Sequence, residues 1–207
     1  GLGRAGSGSI CMYGPPGTGK TAYCHYLAKE LNKPLLVKTA GQLLSKYIGE
    51  TEKNIAVAFA EAKENDAVLL LDEVDSFLQD RRNAQHSWEV TAVNEMLVQM
   101  EAFQGVFVAS TNLLHDLDQA SLRRFDLKVC FGYLQPGQIR HLFEAYCTQL
   151  KLIPCSSSLA QLAAAQELTP GDFAAIARQS RFRPFSKASD FAAALLNEVM
   201  LKNDSAP

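Results

Sequence analysis

The sequence predicts an α/β fold, a layer sandwich around a five-stranded parallel sheet, followed by a small all-helical domain. Three observations carry that expectation. Short apolar runs alternate with segments of helical period up to about Tyr133. One of those runs is continuously apolar, as a strand covered on both faces must be. Beyond Tyr133 the strand pattern stops.

Taken in order, Ile10–Tyr13 reads as the first strand and Ala22–Leu31 as a helix. Pro34–Thr39 is the second strand. Ile55–Glu64 then places Ile55, Ala58, Phe59 and Ala62 at helical spacing. Ala67–Leu71 is the continuous apolar run and the expected central strand. Trp88–Met100 is amphipathic, with Trp88, Val93, Met96, Leu97 and Met100 on one side. Gly105–Ser110 makes a fourth strand and Lys128–Phe131 a short fifth. From Pro136 onward only helices are expected, at Gln138–Leu150, Ser157–Ala165, Pro170–Ser180 and Lys187–Lys202, punctuated by Pro154, Pro170 and Pro184. The boundary falls between an α/β domain, residues 1–132, and a helical one, residues 133–207.

Composition narrows the function classes. A hydrophobic content of 47% is enough for a packed core. The net charge of −2 supplies no global field that would draw the chain to nucleic acid or an anionic membrane. No apolar run approaches the roughly 20 residues that span a bilayer, and Gly1–Ser9 lacks the apolar core of a signal peptide. Five cysteines (Cys11, Cys24, Cys130, Cys147, Cys155) form no Cys-x-x-Cys pair, and four histidines (His25, His86, His115, His141) show no ligand spacing. Both groups read as structural, the cysteines as reduced thiols, and the expected location is cytoplasmic.

The motif that decides the chemistry is Gly14-Pro15-Pro16-Gly17-Thr18-Gly19-Lys20-Thr21, a complete phosphate-binding loop between a strand and a helix. Its glycines let successive backbone N–H groups point at one polyphosphate. Lys20 would neutralise the β- and γ-phosphates, the Thr21 hydroxyl would ligate Mg²⁺, and the following helix N-terminus favours anions. A nucleoside triphosphate is the implied ligand.

Asp72-Glu73 ends the continuous apolar run. At the tip of a buried strand, Asp72 can hold Mg²⁺ through its water shell, and Glu73 is placed to polarise an attacking water as general base. Asp75 reads either as a residue supporting the site from behind or as a cap of the next helix, and the cap is favoured. Ser110-Thr111-Asn112 ends the fourth strand, where Asn112 reads by itself as a turn residue and, in an enzyme of this kind, as an amide that would orient that water.

These motifs, with Leu44–Ile55 and Leu122-Arg123-Arg124-Phe125-Asp126, stand in the order and at the spacing of the AAA+ ATPases. The chain resembles the AAA subgroup over essentially its whole length. The resemblance implies a P-loop NTPase three-layer αβα sandwich with a helical lid, ATP as nucleotide with Mg²⁺, and a homo-oligomer on nucleotide binding, usually a hexameric ring. Relatives place an adenine-covering segment and a recruiting domain before the first strand. That strand follows close on Gly1 here, so a longer protein or a reduced N-terminal part is expected.

Carried over residue by residue, the segment with Arg123 and Arg124 resembles the arginine-finger region. Many relatives separate the two arginines by Pro-Gly, whereas here they are adjacent and their side chains diverge. Arg124, followed in register by Phe125 and Asp126, is the favoured finger. Gly171, in Thr169-Pro170-Gly171-Asp172-Phe173, resembles the lid glycine that approaches adenine and ribose. Tyr47-Ile48-Gly49 has the aromatic–aliphatic–glycine pattern of the pore loop in AAA protein translocases, where an aromatic ring grips an extended chain without regard to its sequence. Asp80–Ser87, with Arg81, Arg82 and His86, is a candidate second pore loop or a solvated charge cluster. Met100–Phe103 resembles the intersubunit signalling stretch and equally fits a helix end.

Three uses of hydrolysis compete at this level. A ring ATPase that remodels or threads protein rests on Tyr47, Ile48 and Gly49. A nucleic-acid-directed ATPase of helicase-loader or clamp-loader type would want a basic face, which neither charge nor motif supplies. A low-turnover scaffold sits poorly with intact Glu73, Asn112 and Arg124.

Overall fold

The computed structural model describes residues 6–77, 89–112 and 119–204. Alternation along the strands builds its first half. Strands β1 (Gly8–Tyr13), β2 (Leu35–Thr39), β3 (Val68–Asp72), β4 (Val106–Thr111) and β5 (Leu127–Cys130) form one sheet in the order β2-β3-β4-β1-β5. Every neighbouring pair is parallel. Successive side chains face opposite ways. Cys11, Leu69, Leu71, Phe107 and Ala109 join a core with Ile55 and Phe59 of helix α3 (Glu50–Glu64) and Met96 and Leu97 of α4 (Glu89–Ala102). Ile10, Met12, Val68, Leu70, Val106 and Val108 face the other way, onto Cys24 and Ala28 of α1 (Lys20–Glu30). This is the expected three-layer sandwich, and helices on both faces explain why β3 is apolar throughout.

Boundaries shift for identifiable reasons. β3 and β4 each run one residue beyond their apolar stretch, because Asp72 still pairs with Thr39 and Thr111 with Tyr13. Helix α3 starts five residues before Ile55. Its first turn is polar and carries no apolar period, but Glu50 and Glu52 there favour the helix dipole. Among the described residues this part also holds two short helices, α2 (Ala40–Leu43), closed by a Thr39–Gln42 capping box, and α5 (Gln119–Arg123).

The helical part consists of α6 (Pro136–Gln149), α7 (Ser156–Ala163), α8 (Pro170–Gln179) and α9 (Ala188–Asp204), within two residues of expectation. Proline in the first turn of α6 and α8 occupies the place where its missing N–H is harmless. Their core gathers Phe143, Leu162, Phe173, Phe191 and Leu195, all fully buried, with Phe143 stacked on Phe191 at 5.7 Å. The chain divides into two compact units, Gly1–Gly14 with Lys20–Phe131, and Pro15–Gly19 with Gly132–Pro207. The division lies one residue before the expected boundary, and the middle of the phosphate loop groups with the helical unit.

Candidate active site

Parallel pairing brings the C-terminal ends of β1, β3 and β4 side by side, with Tyr13 opposite Thr111 and Leu71 opposite Ala109. The chain leaves these ends at Gly14, at Asp72-Glu73 and at Asn112. Gly14 adopts φ +140°, and a Cβ there would sit 1.9 Å from the Phe131 carbonyl oxygen, so only glycine fits. Lys20, 7% exposed, donates from Nζ to the Gly14 carbonyl at 2.6 Å and to Asn112 Oδ1 at 2.8 Å. Burial lowers the Lys20 pKa, and the nearby Asp72 and Asp75 carboxylates work against that fall. The phosphate-loop ammonium and the Asn112 amide therefore converge, as the motif order requires.

Asp72 is held from three sides. Thr21 Oγ1 donates to its Oδ2 at 3.1 Å, the Glu73 N–H donates to its Oδ1 at 3.0 Å, and the buried Ser110 hydroxyl also donates to Oδ1. Glu73 itself is exposed and has φ +57°, a left-handed conformation that a non-glycine residue adopts rarely and at some cost. Asp75 precedes the helical turn at Ser76-Phe77, where a cap was expected, but its Oδ1 accepts from Thr111 Oγ1 at 3.0 Å and from the Asn112 N–H at 3.3 Å. Its carboxylate thus fixes the tip of β4 and with it the Asn112 backbone. Sequence reasoning passed over Ser110, and for Asp75 it favoured the cap over the supporting role that these bonds to Thr111 and Asn112 give it.

Among the described residues no cluster of three or more His, Cys, Asp or Glu could hold a metal. Thr21 and Asp72 offer one hydroxyl and one carboxylate. That sparse oxygen set suits Mg²⁺, which keeps most of its shell as water and phosphate oxygen.

The arginine segment is anchored on both sides. Phe125 is buried and stacks on Phe107 at 6.3 Å, and Asp126 Oδ2 accepts from the Ser9 N–H at 2.8 Å and its hydroxyl at 2.9 Å. These Ser9 bonds hold the Asp126 carboxyl below its ordinary range. Arg124 Nε donates to Glu101 Oε1 at 2.6 Å, and this bond holds the Glu101 carboxyl below the usual carboxylate range. Arg123, the last residue of α5, is exposed. Arg124, the favoured finger, is held by an acid of its own chain.

Tyr47 and Ile48 are 77% and 88% exposed. Their turn is closed rather than loose: the Ser45 hydroxyl bonds the Glu50 carboxylate, the Ser45 N–H donates to Thr51 Oγ1 at 2.9 Å, and the Glu50 N–H donates to the Tyr47 carbonyl at 3.3 Å. Gly49, at φ +79°, leads into α3. The segment Asp80–Ser87, with Arg81, Arg82 and His86, lies outside the described residues.

Within the helical unit, Thr18 Oγ1 donates to the Pro15 carbonyl at 2.8 Å, and the Gly171 N–H donates to the Gly17 carbonyl at 2.8 Å. A Cβ on Gly171 would lie 2.9 Å from Gly17 Cα, so the close approach excludes a larger residue. Gly171 thus packs directly on Gly17. Its turn is fixed by Asp172, 5% exposed, whose Oδ2 accepts from the Thr169 N–H at 2.8 Å, from Thr169 Oγ1 at 2.9 Å and from Lys202 Nζ at 2.6 Å.

The model of the AAA family, the ATPase family associated with various cellular activities, matches residues 10–133. The chain belongs to the AAA ATPases. Among curated proteins, this AAA chain is 34% identical over 193 residues to spastin of Anopheles gambiae and 32% identical over 191 residues to spastin of Drosophila mojavensis. Each match covers 87% of the AAA chain but only 23% and 25% of the relative, so the chain spans about a quarter of their length. Among solved structures, the FIGL-1 AAA domain in complex with ADP superposes with a TM-score of 0.70 at 20% identity, over 95% of this chain and 77% of that one. That likeness supports the AAA fold. No helix among the described residues of the AAA chain is long and apolar enough to cross a membrane.

Proposed function

We propose that the chain binds ATP with Mg²⁺, hydrolyses it, and uses the cycle in a ring of identical copies, six by family habit, to thread or remodel protein. The observation that carries the chemistry is the convergence of Lys20, Thr21, Asp72 and Asn112 at the C-terminal end of the sheet. Lys20 would exchange its bonds to Gly14 and Asn112 for phosphate oxygens. Thr21 and Asp72 would hold Mg²⁺, which when bound supplies positive charge against the β- and γ-phosphate oxygens. The Asn112 amide would orient a water. Glu73 would take that water's proton as its oxygen attacks the γ-phosphorus, the bond to the β-phosphate oxygen breaks, and ADP leaves. Arg124, with Arg123 beside it, would offset charge on the transferring group in the neighbouring copy.

Protein as the substrate class is supported by Tyr47 and Ile48, two large apolar side chains held out in solvent on a hydrogen-bonded turn. An unfolding assay on a tagged fluorescent protein, with ATP consumption read in parallel, tests both halves. Glu73→Gln should lower turnover by about 10²–10⁴-fold while ATP stays bound. Tyr47→Ala should cut the protein unfolded per ATP consumed severalfold. Rapid turnover by the first variant would remove Glu73 as the base, and an unchanged ratio in the second would remove the pore-loop role.

A further inference from the structure

The turn between α8 and α9 carries features that nucleotide chemistry does not use. Residues 178–187 hold four cations, Arg178, Arg181, Arg183 and Lys187, and no acid. All four are exposed, and none of the three arginines makes an ion pair among the described residues. Cations near the end of α8 complement its dipole, which accounts for Arg178 and Arg181 in part but not for Arg183 or Lys187 beyond it.

In their midst Phe182 is 93% exposed, the highest value among the large apolar side chains of the described residues. The turn beneath it is fixed: the Arg181 N–H donates to the Arg178 carbonyl at 3.2 Å, and the Phe182 and Arg183 N–H groups donate to the Gln179 carbonyl at 3.0 and 3.1 Å. A phenyl ring held in water on an ordered turn forgoes the burial its apolar surface would gain.

Two clefts are lined by sequence neighbours of Phe182, one including Arg181 and the other Arg183. One, of about 340 Å³, is lined by Tyr146, Gln149, Leu150, Ala177, Arg178 and Arg181. The other, of about 470 Å³, is lined by Arg183, Pro184, Phe185, Asp190, Ala194 and Asn197. The one carboxylate there, Asp190, already accepts the Lys187 N–H at 3.1 Å. Each cleft is lined by both apolar carbon and arginine.

We infer that this edge of the helical unit is a docking surface for an acidic protein segment, whose carboxylates meet Arg178, Arg181 and Arg183 while its apolar side chains pack on Phe182 and into the clefts. The charge of the surface selects an anionic partner. Its aromatic content selects peptide over a nucleic-acid strand, which would need rings placed for successive bases rather than one. The inference concerns recruitment and stands apart from the ATPase reading.

The test is binding of a fluorescein-labelled peptide of glutamates interspersed with leucines to the full chain, by fluorescence anisotropy, without nucleotide. Failure of the ATPase proposal therefore leaves the result untouched. Phe182→Ala should weaken binding about tenfold, as loss of an aromatic anchor does. Arg181→Gln and Arg183→Gln should each weaken it severalfold and flatten its salt dependence, whereas Arg140→Gln, an equal charge change elsewhere on the helical unit, should not. Phe182 is solvent-exposed, so its variant tests contact rather than folding. Three results would overturn the inference: no peptide binding, equal loss in Arg140→Gln, or tighter binding of oligo-dT than of the peptide. A change in sedimentation of the arginine variants without peptide binding would reassign the edge to contact between copies.

Discussion

Ser110 stands one residue before the end of β4, 1% exposed, with its hydroxyl on Asp72 Oδ1. The carboxylate has little freedom, because Thr21 and the Glu73 backbone take its other positions. Ser110 is thus a positioning residue for the group that would hold Mg²⁺. Ser110→Ala should raise the Mg²⁺ concentration that half-saturates the tightening of a fluorescent ADP analogue by about tenfold, the worth of one hydrogen bond to a charged group. Affinity for the analogue without metal should stay the same, and Ser110→Thr should restore most of the loss. An equal fall in metal-free affinity would contradict the positioning role and point to general damage at the strand tip.

Among the elements, the pairing of α8 with α9 has the clearest energetic content. Lys202 near the end of α9 neutralises Asp172, a buried carboxylate in the first turn of α8 that fixes the Thr169–Gly171 turn against Gly17. Lys202→Met would leave that charge buried without its cation. Because Lys202 is partly exposed, the expected loss is modest, about 1 kcal/mol, or a fall of about 2–4 °C in melting temperature for a chain of this size. Thermal unfolding checks it, and an unchanged midpoint would mean the ion pair carries no stability.

How much of this was legible follows the range of each interaction. The phosphate loop, Asp72-Glu73 and all five strands are local patterns and were readable from neighbours in sequence. The bonds Ser110–Asp72, Thr111–Asp75 and Arg124–Glu101 join residues 38, 36 and 23 positions apart, and no local period encodes them. Helix α5, five residues long, is shorter than the window in which a helical period can be seen. The polar opening of α3 had no apolar signal, though Glu50 and Glu52 were a usable charge signal.

At the scale of the whole molecule, the account turns on where Arg124 acts. Its backbone is pinned by Phe125 and Asp126, and its guanidinium rests on Glu101 at the end of α4 in the same chain. The proposed ring gives that arginine a phosphate in the next copy, so hydrolysis should require assembly. The direct test is ATP turnover per subunit across a wide range of protein concentration, with Arg124→Ala run alongside. The account predicts a rate that climbs with concentration and falls by about 10³-fold or more in the variant, the range of an arginine finger supplied in trans. A substantial rate that is flat with concentration and survives Arg124→Ala would contradict it, because each subunit would then hold a complete site of its own.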